Sequence, residues 1–161
     1  MTEQPPLYTA SVPVFRRYIG QMSHWVEWAT ADDLDQRIAD TFPARQQFAT
    51  ATGFTLRIAC PLAGVAIPEL PVDLSLRMKA ACDVLDSLAP AAFIGAERRT
   101  IRHKAGFSEL TQDGETFLHQ FGMPNFLFHV TMGYAALRMA GVAIGKADFD
   151  GFHSYPDGFR F

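Results

Sequence analysis

Apolar residues recur at three- and four-residue steps in four long segments of this chain, and this spacing most constrains its fold. The segments cover about residues 7–30, 43–62, 73–88 and 113–140. Such spacing places the apolar side chains along one face of a helix, which must be buried against another element. Four amphipathic helices joined by short connections predict an all-α protein, a four-helix bundle.

Three segments depart from the regular helical pattern. Residues 98–110 hold β-branched and aromatic residues around a turn at residues 104–106, so we expect a small β-hairpin before the last helix. Pro124 lies inside the last helix, where it removes a backbone hydrogen bond, and predicts a kink. Residues 146–161, rich in Gly and Phe, predict an irregular tail. No repeat or linker divides the chain, so we expect one domain over residues 1–161, with the bundle at about 7–145.

Composition and charge exclude several classes of protein. Of the 161 residues, 48% are hydrophobic and 19% charged, which is typical of a globular domain rather than a disordered chain. The net charge of -3 has the wrong sign for a general nucleic-acid binder, and the basic run at residues 98–104 predicts a solvated hairpin face. No window reaches the roughly 18 apolar residues of a membrane span. The N-terminus lacks a signal-peptide pattern, so we expect a cytoplasmic protein.

Motifs that would name a reaction are absent from the sequence. There is no dinucleotide-binding glycine motif, no P-loop, no G-x-S-x-G and no H-E-x-x-H. Cys60 and Cys82 do not form a C-x-x-C pair and are expected to be reduced thiols. The five histidines therefore remain the main source of chemistry.

Polar side chains interrupt the apolar stripes of two helices. Asn125 and His129 lie one turn apart on the stripe of the last helix, and Gln47 interrupts that of the second. A buried polar group without a partner costs about 1–3 kcal/mol, so facing helices would join these three in one internal cluster. His129 is then either a core histidine bonded to an amide or to Tyr134, or part of a ligand or metal site. His119, about 80° away on an ideal helix, is the second candidate metal ligand.

Four segments of the sequence resemble DUF1993, an uncharacterised bacterial family defined by a domain of unknown function. They are ASVPVF at 10–15, DTFPARQQ at 40–47, PLAGVAIP at 61–68 and PNFLFHVTMGYAALRMAGVAIGKADF at 124–149. The resemblance covers about residues 7–151, and that family is similar to the DinB-like superfamily of four-helix bundles. Many DinB-like proteins hold a divalent metal on three histidines, one from the second helix and two from an H-x-x-x-H on the last. Some are thiol-dependent transferases, and dimers are common.

When the resemblance is used to place the three metal-binding histidines on this sequence, only one of the three positions is a histidine. His129 falls at the second histidine of the H-x-x-x-H and Asn125 at the first, while Gln46 or Gln47 lies near the position on the second helix. The resemblance therefore implies the fold but not the metal chemistry. We predict a DinB-like homodimer whose Gln47, Asn125 and His129 bind a small ligand or have a structural role, with no cofactor, nucleic acid or membrane expected.

A metal-dependent enzyme is the alternative prediction. It would be a divalent-metal enzyme, such as a thiol-dependent transferase, that holds zinc or nickel through His129. The further ligand would be His119, or a carboxylate of Asp40 or Glu115 if the fold brought either near His129.

Overall fold

Four long helices and one β-hairpin make up the fold, as the sequence predicts. The structure is a computed structural model, and it describes residues 4–159. Its helices and strands are α1 (Pro6–Thr9), α2 (Val12–Trp28), α3 (Ala31–Leu34), α4 (Ala44–Ala63), α5 (Leu74–Ser87), β1 (Thr100–Ala105), β2 (Ser108–Asp113), α6 (Gly114–Thr116), α7 (Met123–Ala140) and α8 (Lys146–Asp150). Two 3-10 turns, Pro90–Phe93 and Ala96–Arg98, precede β1, and a π-helical segment, Phe117–Gly122, precedes α7. None of the helices in this part of the chain is both long and apolar enough to cross a membrane.

Local sequence signals set the ends of the helices. The Asp73 side chain accepts a hydrogen bond from the Leu76 backbone at the start of α5, and Asp113 accepts one from Thr116 at the start of α6. Gly64 ends α4 in the left-handed conformation at φ 72°, which a glycine adopts without steric cost. The predicted bounds of the second and third helices therefore agree with the structure to within a residue or so.

Helix α4 lies at the centre of the bundle and packs closely against α7. A Cβ atom added at Gly133 would lie 2.4 Å from Cε1 of Phe48, and one added at Gly122 would lie 2.9 Å from Cγ1 of Ile58. The two helices therefore run antiparallel, and small residues allow their backbones to approach. Helix α5 turns its predicted apolar face inward, with the following residues buried: Leu74, Met78, Ala81 and Leu85.

The first predicted helix differs from the structure in two ways. It is divided into α1 and α2, and Ser11, whose hydroxyl donates to the Leu7 carbonyl, lies at the break between them. Helical spacing in the sequence places Val14, Tyr18, Met22, Trp25 and Ala29 on one apolar stripe, and the buried face of α2 is partly different. The residues that are buried are Val12, Phe15, Ile19, Met22 and Trp25. The expected acidic connection at residues 31–35 forms the short helix α3, which Thr30 and Asp33 begin with a capping box.

A π-helical segment, which the sequence did not predict, lies just before Pro124, the position of the predicted kink. Pro124 lies in the first turn of α7, where its missing N–H is tolerated. Because π-helical bonds run from i to i+5, the segment adds a residue to the helix and shifts its inward face. The buried positions are Phe117, Leu118, Gly122, Phe126, Val130, Gly133, Ala136 and Leu137. Asn125 and His129, predicted to point at the core, therefore lie half-buried at its edge.

The hairpin and the tail complete the fold. Strands β1 and β2 are antiparallel, with Ala105 paired to Ser108, so the turn lies at residues 106–107, slightly beyond the predicted position. The expected irregular tail begins with helix α8, whose Phe149 ring packs 5.4 Å from the ring of Tyr18 on α2. The last two residues of the expected tail, at 160–161, lie outside the described residues.

Candidate functional site

A hydrogen bond between two helices joins two of the three polar residues that the sequence singled out. The Nδ1 atom of His129 on α7 lies 2.7 Å from Oε1 of Gln47 on α4. Gln47 is only 2% exposed, and its amide nitrogen donates to the Phe42 carbonyl at 3.4 Å. The Gln47–His129 pair therefore ties α4, α7 and the loop before α4 together. The predicted partner of His129 is thus an amide rather than Tyr134, whose hydroxyl instead accepts from Arg138.

The second ring nitrogen of His129, Nε2, is not fully buried. Because Gln47 Oε1 can only accept, Nδ1 carries the proton, and Nε2 presents a lone pair. Nε2 has no hydrogen-bond partner within residues 4–159, and it is not among the buried atoms there that lack one. Burial lowers the pKa of His129 below its ordinary value of 6.5, and the positive charge of Arg57 lowers it further. The imidazole is therefore neutral at neutral pH and offers one hydrogen-bond acceptor.

Aromatic rings and one guanidinium surround the imidazole. The Phe54 ring stacks on it at 5.5 Å, and the Phe128 ring meets it edge-on at 5.2 Å. Phe128 is 55% exposed, which is unusual for so large an apolar side chain. The Cζ atom of Arg57 lies 4.4 Å from the centre of the Phe54 ring, and its Nη2 donates to the Lys104 carbonyl at 3.4 Å. We call His129, Phe54, Phe128 and Arg57, with Gln47 behind them, the His129 site.

Asn125 is near this site along α7 but makes a different bond. Its Nδ2 donates to the Phe121 carbonyl at 2.7 Å, within the π-helical segment. In the described part of the chain, no hydrogen bond joins Asn125 to Gln47 or to His129. The predicted three-residue cluster is therefore a bonded pair with Asn125 one turn away.

His119 lies among other neighbours. It is exposed on the π-helical segment and lines a cleft of about 1100 Å³ together with Glu97, Arg98, Asp113 and Glu115. Asp113 already accepts the capping bonds of Thr116 at 2.8 and 3.0 Å. The Glu115 carboxylate, predicted as a substitute ligand near His129, thus lines the His119 cleft instead, and Asp40 is exposed in the loop before α4.

The residues at the His129 site do not fit the three-histidine ion of DinB-like proteins. Within residues 4–159, no group of three or more His, Cys, Asp or Glu side chains is arranged to hold a metal ion. At the positions that the resemblance assigns to ligands, the Gln47 oxygen is bonded to His129 and the Asn125 nitrogen to a carbonyl. Amides are poor ligands for zinc or nickel compared with histidine and carboxylate. The donor set therefore favours hydrogen bonding over metal coordination.

The basic hairpin run contains side chains that face the protein as well as solvent. Arg99 donates to the Leu62 carbonyl at the end of α4. The His103 ring packs 4.2 Å from the ring of Phe121, and its Nε2 donates to Gln112 Oε1 at 2.7 Å. Phe121 in turn packs against Phe54 at 6.1 Å. The hairpin therefore packs against the aromatic side chains beside the His129 site. The sequence predicted only a solvated hairpin face and not this contact.

Sequence reasoning missed Arg57 and Phe128 as parts of the site. A signal for Arg57 was present, since it follows Phe54 by three residues, the spacing that places two side chains on one helix face. Phe128 precedes His129 directly, and its exposure depends on the shift that the π-helical segment introduces. That shift has no simple sequence signature beyond Pro124.

Comparison with known proteins supports the fold and adds a family. The model of a family described as domain of unknown function (DUF1993) matches residues 7–150. The crystal structure of a DinB family member from Shewanella denitrificans is similar to this chain at a TM-score of 0.78 and 25% identity, covering 93% of this chain and 94% of that one. No curated protein matches the sequence. The predicted DinB-like, mostly helical fold with a small hairpin is therefore confirmed.

Proposed function

This chain belongs to the family of the domain of unknown function DUF1993, and we propose that it binds a small organic ligand at the His129 site without a catalytic metal. The observation that carries the proposal is the 2.7 Å bond between His129 Nδ1 and Gln47 Oε1. It fixes the imidazole in one orientation and one tautomer, with its lone pair directed outward. A fixed acceptor beside aromatic rings matches the mixture of polar and apolar groups that lines small-molecule sites.

Each side chain at or beside the site has a role in this proposal. Phe128 offers an exposed ring face on which a planar ligand stacks, and His129 Nε2 accepts a hydrogen bond from the ligand. Asn125 contributes its amide oxygen at the edge of the site, because its nitrogen is already bonded to the Phe121 carbonyl. Gln47 positions His129 and does not meet the ligand, since its side chain is buried.

Native mass spectrometry of the purified chain tests ligand binding. We expect wild-type protein, incubated with a bacterial small-molecule extract, to carry an added organic mass that denaturation releases. The added mass should disappear in His129→Ala and persist in the matched variant His24→Ala, whose histidine is exposed on α2. A wild-type spectrum with no added mass, or a mass retained equally in His129→Ala, would contradict the proposal.

A homodimer is the second part of the proposal. Helix α7 exposes a large apolar side chain outside the His129 site, Met139 at 67%, near its C-terminal end. An exposed apolar side chain on the outer face of a helix is suited to an interface with another apolar surface. The resemblance to DinB-like proteins supports a second copy as the partner. A cytoplasmic location belongs to the same proposal.

The metal-dependent enzyme remains the alternative proposal. A thiol-dependent transferase that used His129 would need two further ligands at the His129 site. His119 and Glu115 line a different cleft, so neither is in place for that role. The alternative therefore depends on a rearrangement on metal binding, and metal analysis decides it.

A further inference from the structure

Arg57 brings to the His129 site a positive charge that is not part of an ion pair among the described residues. Within residues 4–159, no carboxylate forms an ion pair with Arg57. The neighbouring cation Lys104 is paired with Glu109 at 3.3 Å. Arg57 is also the charged side chain whose field acts on the His129 imidazole. The site is therefore electropositive, and a ligand bound there gains from a negative charge.

The Arg57 guanidinium is held in place by the protein. Its Cζ lies 4.4 Å from the centre of the Phe54 ring, and its Nη2 donates to the Lys104 carbonyl at 3.4 Å. A guanidinium has five N–H donors, so one bond to a carbonyl leaves most of them for a ligand. An arginine fixed by a ring and by a backbone carbonyl loses less entropy on binding an anion than a freely moving one.

The two polar groups of the site make opposite demands on a ligand. Arg57 requires an acceptor, preferably an anionic one with two oxygens, such as a carboxylate. Neutral His129 Nε2 requires a donor, because it carries only a lone pair. Both groups contact the Phe54 ring, the imidazole at 5.5 Å and the guanidinium at 4.4 Å, and the charge of Arg57 acts on the His129 imidazole. A ligand that carries both an acceptor and a donor would match this pair of neighbours.

We propose that the ligand of the His129 site is a small aromatic anion that also carries an O–H or N–H donor, with its anionic group on Arg57, its donor on His129 Nε2 and its ring against Phe128. This inference rests on the proposed function, because it names the ligand class of that same site. It makes Arg57 a binding residue.

Three related probes separate the parts of this inference. They are 4-hydroxybenzoate, its neutral amide 4-hydroxybenzamide, and benzoate, which lacks the hydroxyl donor. Binding is followed by the chemical shifts of the His129 ring in nuclear magnetic resonance titrations. We expect 4-hydroxybenzoate to bind about tenfold more tightly than either of the others, since each lacks one charge-assisted or directed bond.

Two matched variants assign the charge preference to Arg57. Arg57→Gln should erase the preference for 4-hydroxybenzoate over its amide. Arg45→Gln, on the same helix, should leave it unchanged because Arg45 is exposed and paired with Asp35 at 3.2 Å. Equal binding of acid and amide, or an unchanged preference in Arg57→Gln, would overturn the inference while leaving the proposed function intact. If none of the probes shifts the His129 signals at about 10 mM, the inference fails as well, and the added mass in native spectra then judges the proposed function separately.

Discussion

Among single residues, His129 and His103 make the same kind of hydrogen bond but differ in the burial of their second ring nitrogen. Each donates one ring N–H to a glutamine oxygen at 2.7 Å, His129 to Gln47 and His103 to Gln112. The remaining nitrogen of His103 is buried and has no partner among the described residues, whereas that of His129 is not fully buried. Only His129 is therefore available to a ligand. The sequence predicted that Gln47 and His129 would meet, because both interrupt apolar stripes of facing helices.

Replacing Gln47 tests how much the pair stabilises the fold. Gln47→Leu keeps the volume but removes the acceptor of His129 and the donor to Phe42, so we expect the free energy of unfolding to fall by about 1–3 kcal/mol. Gln46→Leu is the matched control, because Gln46 is exposed on the same turn, and it should change stability by less than about 0.5 kcal/mol. Urea unfolding measures both, and equal effects would show that the pair does not stabilise the bundle.

The lowered pKa of His129 predicts a pH dependence of stability. In the unfolded chain the imidazole takes up its proton near the ordinary pKa of 6.5, whereas in the folded chain it does so at lower pH. Stability is therefore full above 6.5 and is lost as pH falls from there to the folded pKa. The stability of the wild type relative to His129→Gln should decrease between about pH 8 and pH 5, as thermal unfolding measures.

Replacing Arg57 tests whether its positive charge contributes to the lowered pKa of His129. Removing it in Arg57→Gln should raise the pKa of His129 towards the ordinary value, while Arg45→Gln should not. A stability difference that is constant with pH, or a His129 pKa that is unmoved in Arg57→Gln, would contradict the assigned environment.

At the scale of elements, the fit between α4 and α7 positions the site. The sequence predicted both helices from the periodicity of their apolar residues. It did not predict the π-helical segment Phe117–Gly122, because i to i+5 bonding depends on how the helix accommodates Pro124 against its neighbours. That segment moves Asn125 and His129 from the core to its edge, and so changes a buried cluster into an accessible site.

Two glycine-to-alanine substitutions should change the free energy of unfolding in opposite directions, because only one of the glycines lies where α4 and α7 pack closely. Gly133→Ala places a methyl group 2.4 Å from Cε1 of the buried Phe48 ring, and should lower the free energy of unfolding by about 1–3 kcal/mol. Gly20→Ala in α2 meets no atom within 4 Å and should raise it by about 0.5–1 kcal/mol, the ordinary gain of alanine over glycine in a helix. Thermal unfolding of both variants checks the packing, and a stable Gly133→Ala protein would show that α4 and α7 are further apart.

At the scale of the whole molecule, the resemblance to DinB-like bundles predicted the architecture, and the DinB family structure confirms it at a TM-score of 0.78. Individual positions at the site were less predictable. Arg57 is held by a neighbour on another element, the hairpin carbonyl of Lys104, whereas Phe128 contacts His129 of its own helix and is assigned to the site by its exposure. Charge and exposure at a site depend on such long-range placement, which helical periodicity does not encode.

The proposed homodimer predicts the mass of the molecule in solution. Light scattering should give about twice the chain mass of 17.8 kDa for the wild type. Met139→Ser on the outer face of α7 should shift the protein towards the monomer, whereas Leu76→Ser, equally exposed on α5, should not. A monomeric wild type at micromolar concentration would remove the dimer from the proposal.

In the proposed function the Gln47–His129 bond stands in place of a metal site, and the metal content of the purified protein tests this proposal. Untagged protein, purified without a nickel column and then dialysed against zinc, is analysed for elements alongside His129→Ala. The account predicts well under one equivalent of bound metal per chain, with no difference between the two proteins. About one equivalent of zinc, nickel, iron or manganese in the wild type, lost in His129→Ala, would contradict it and favour the metal-dependent enzyme.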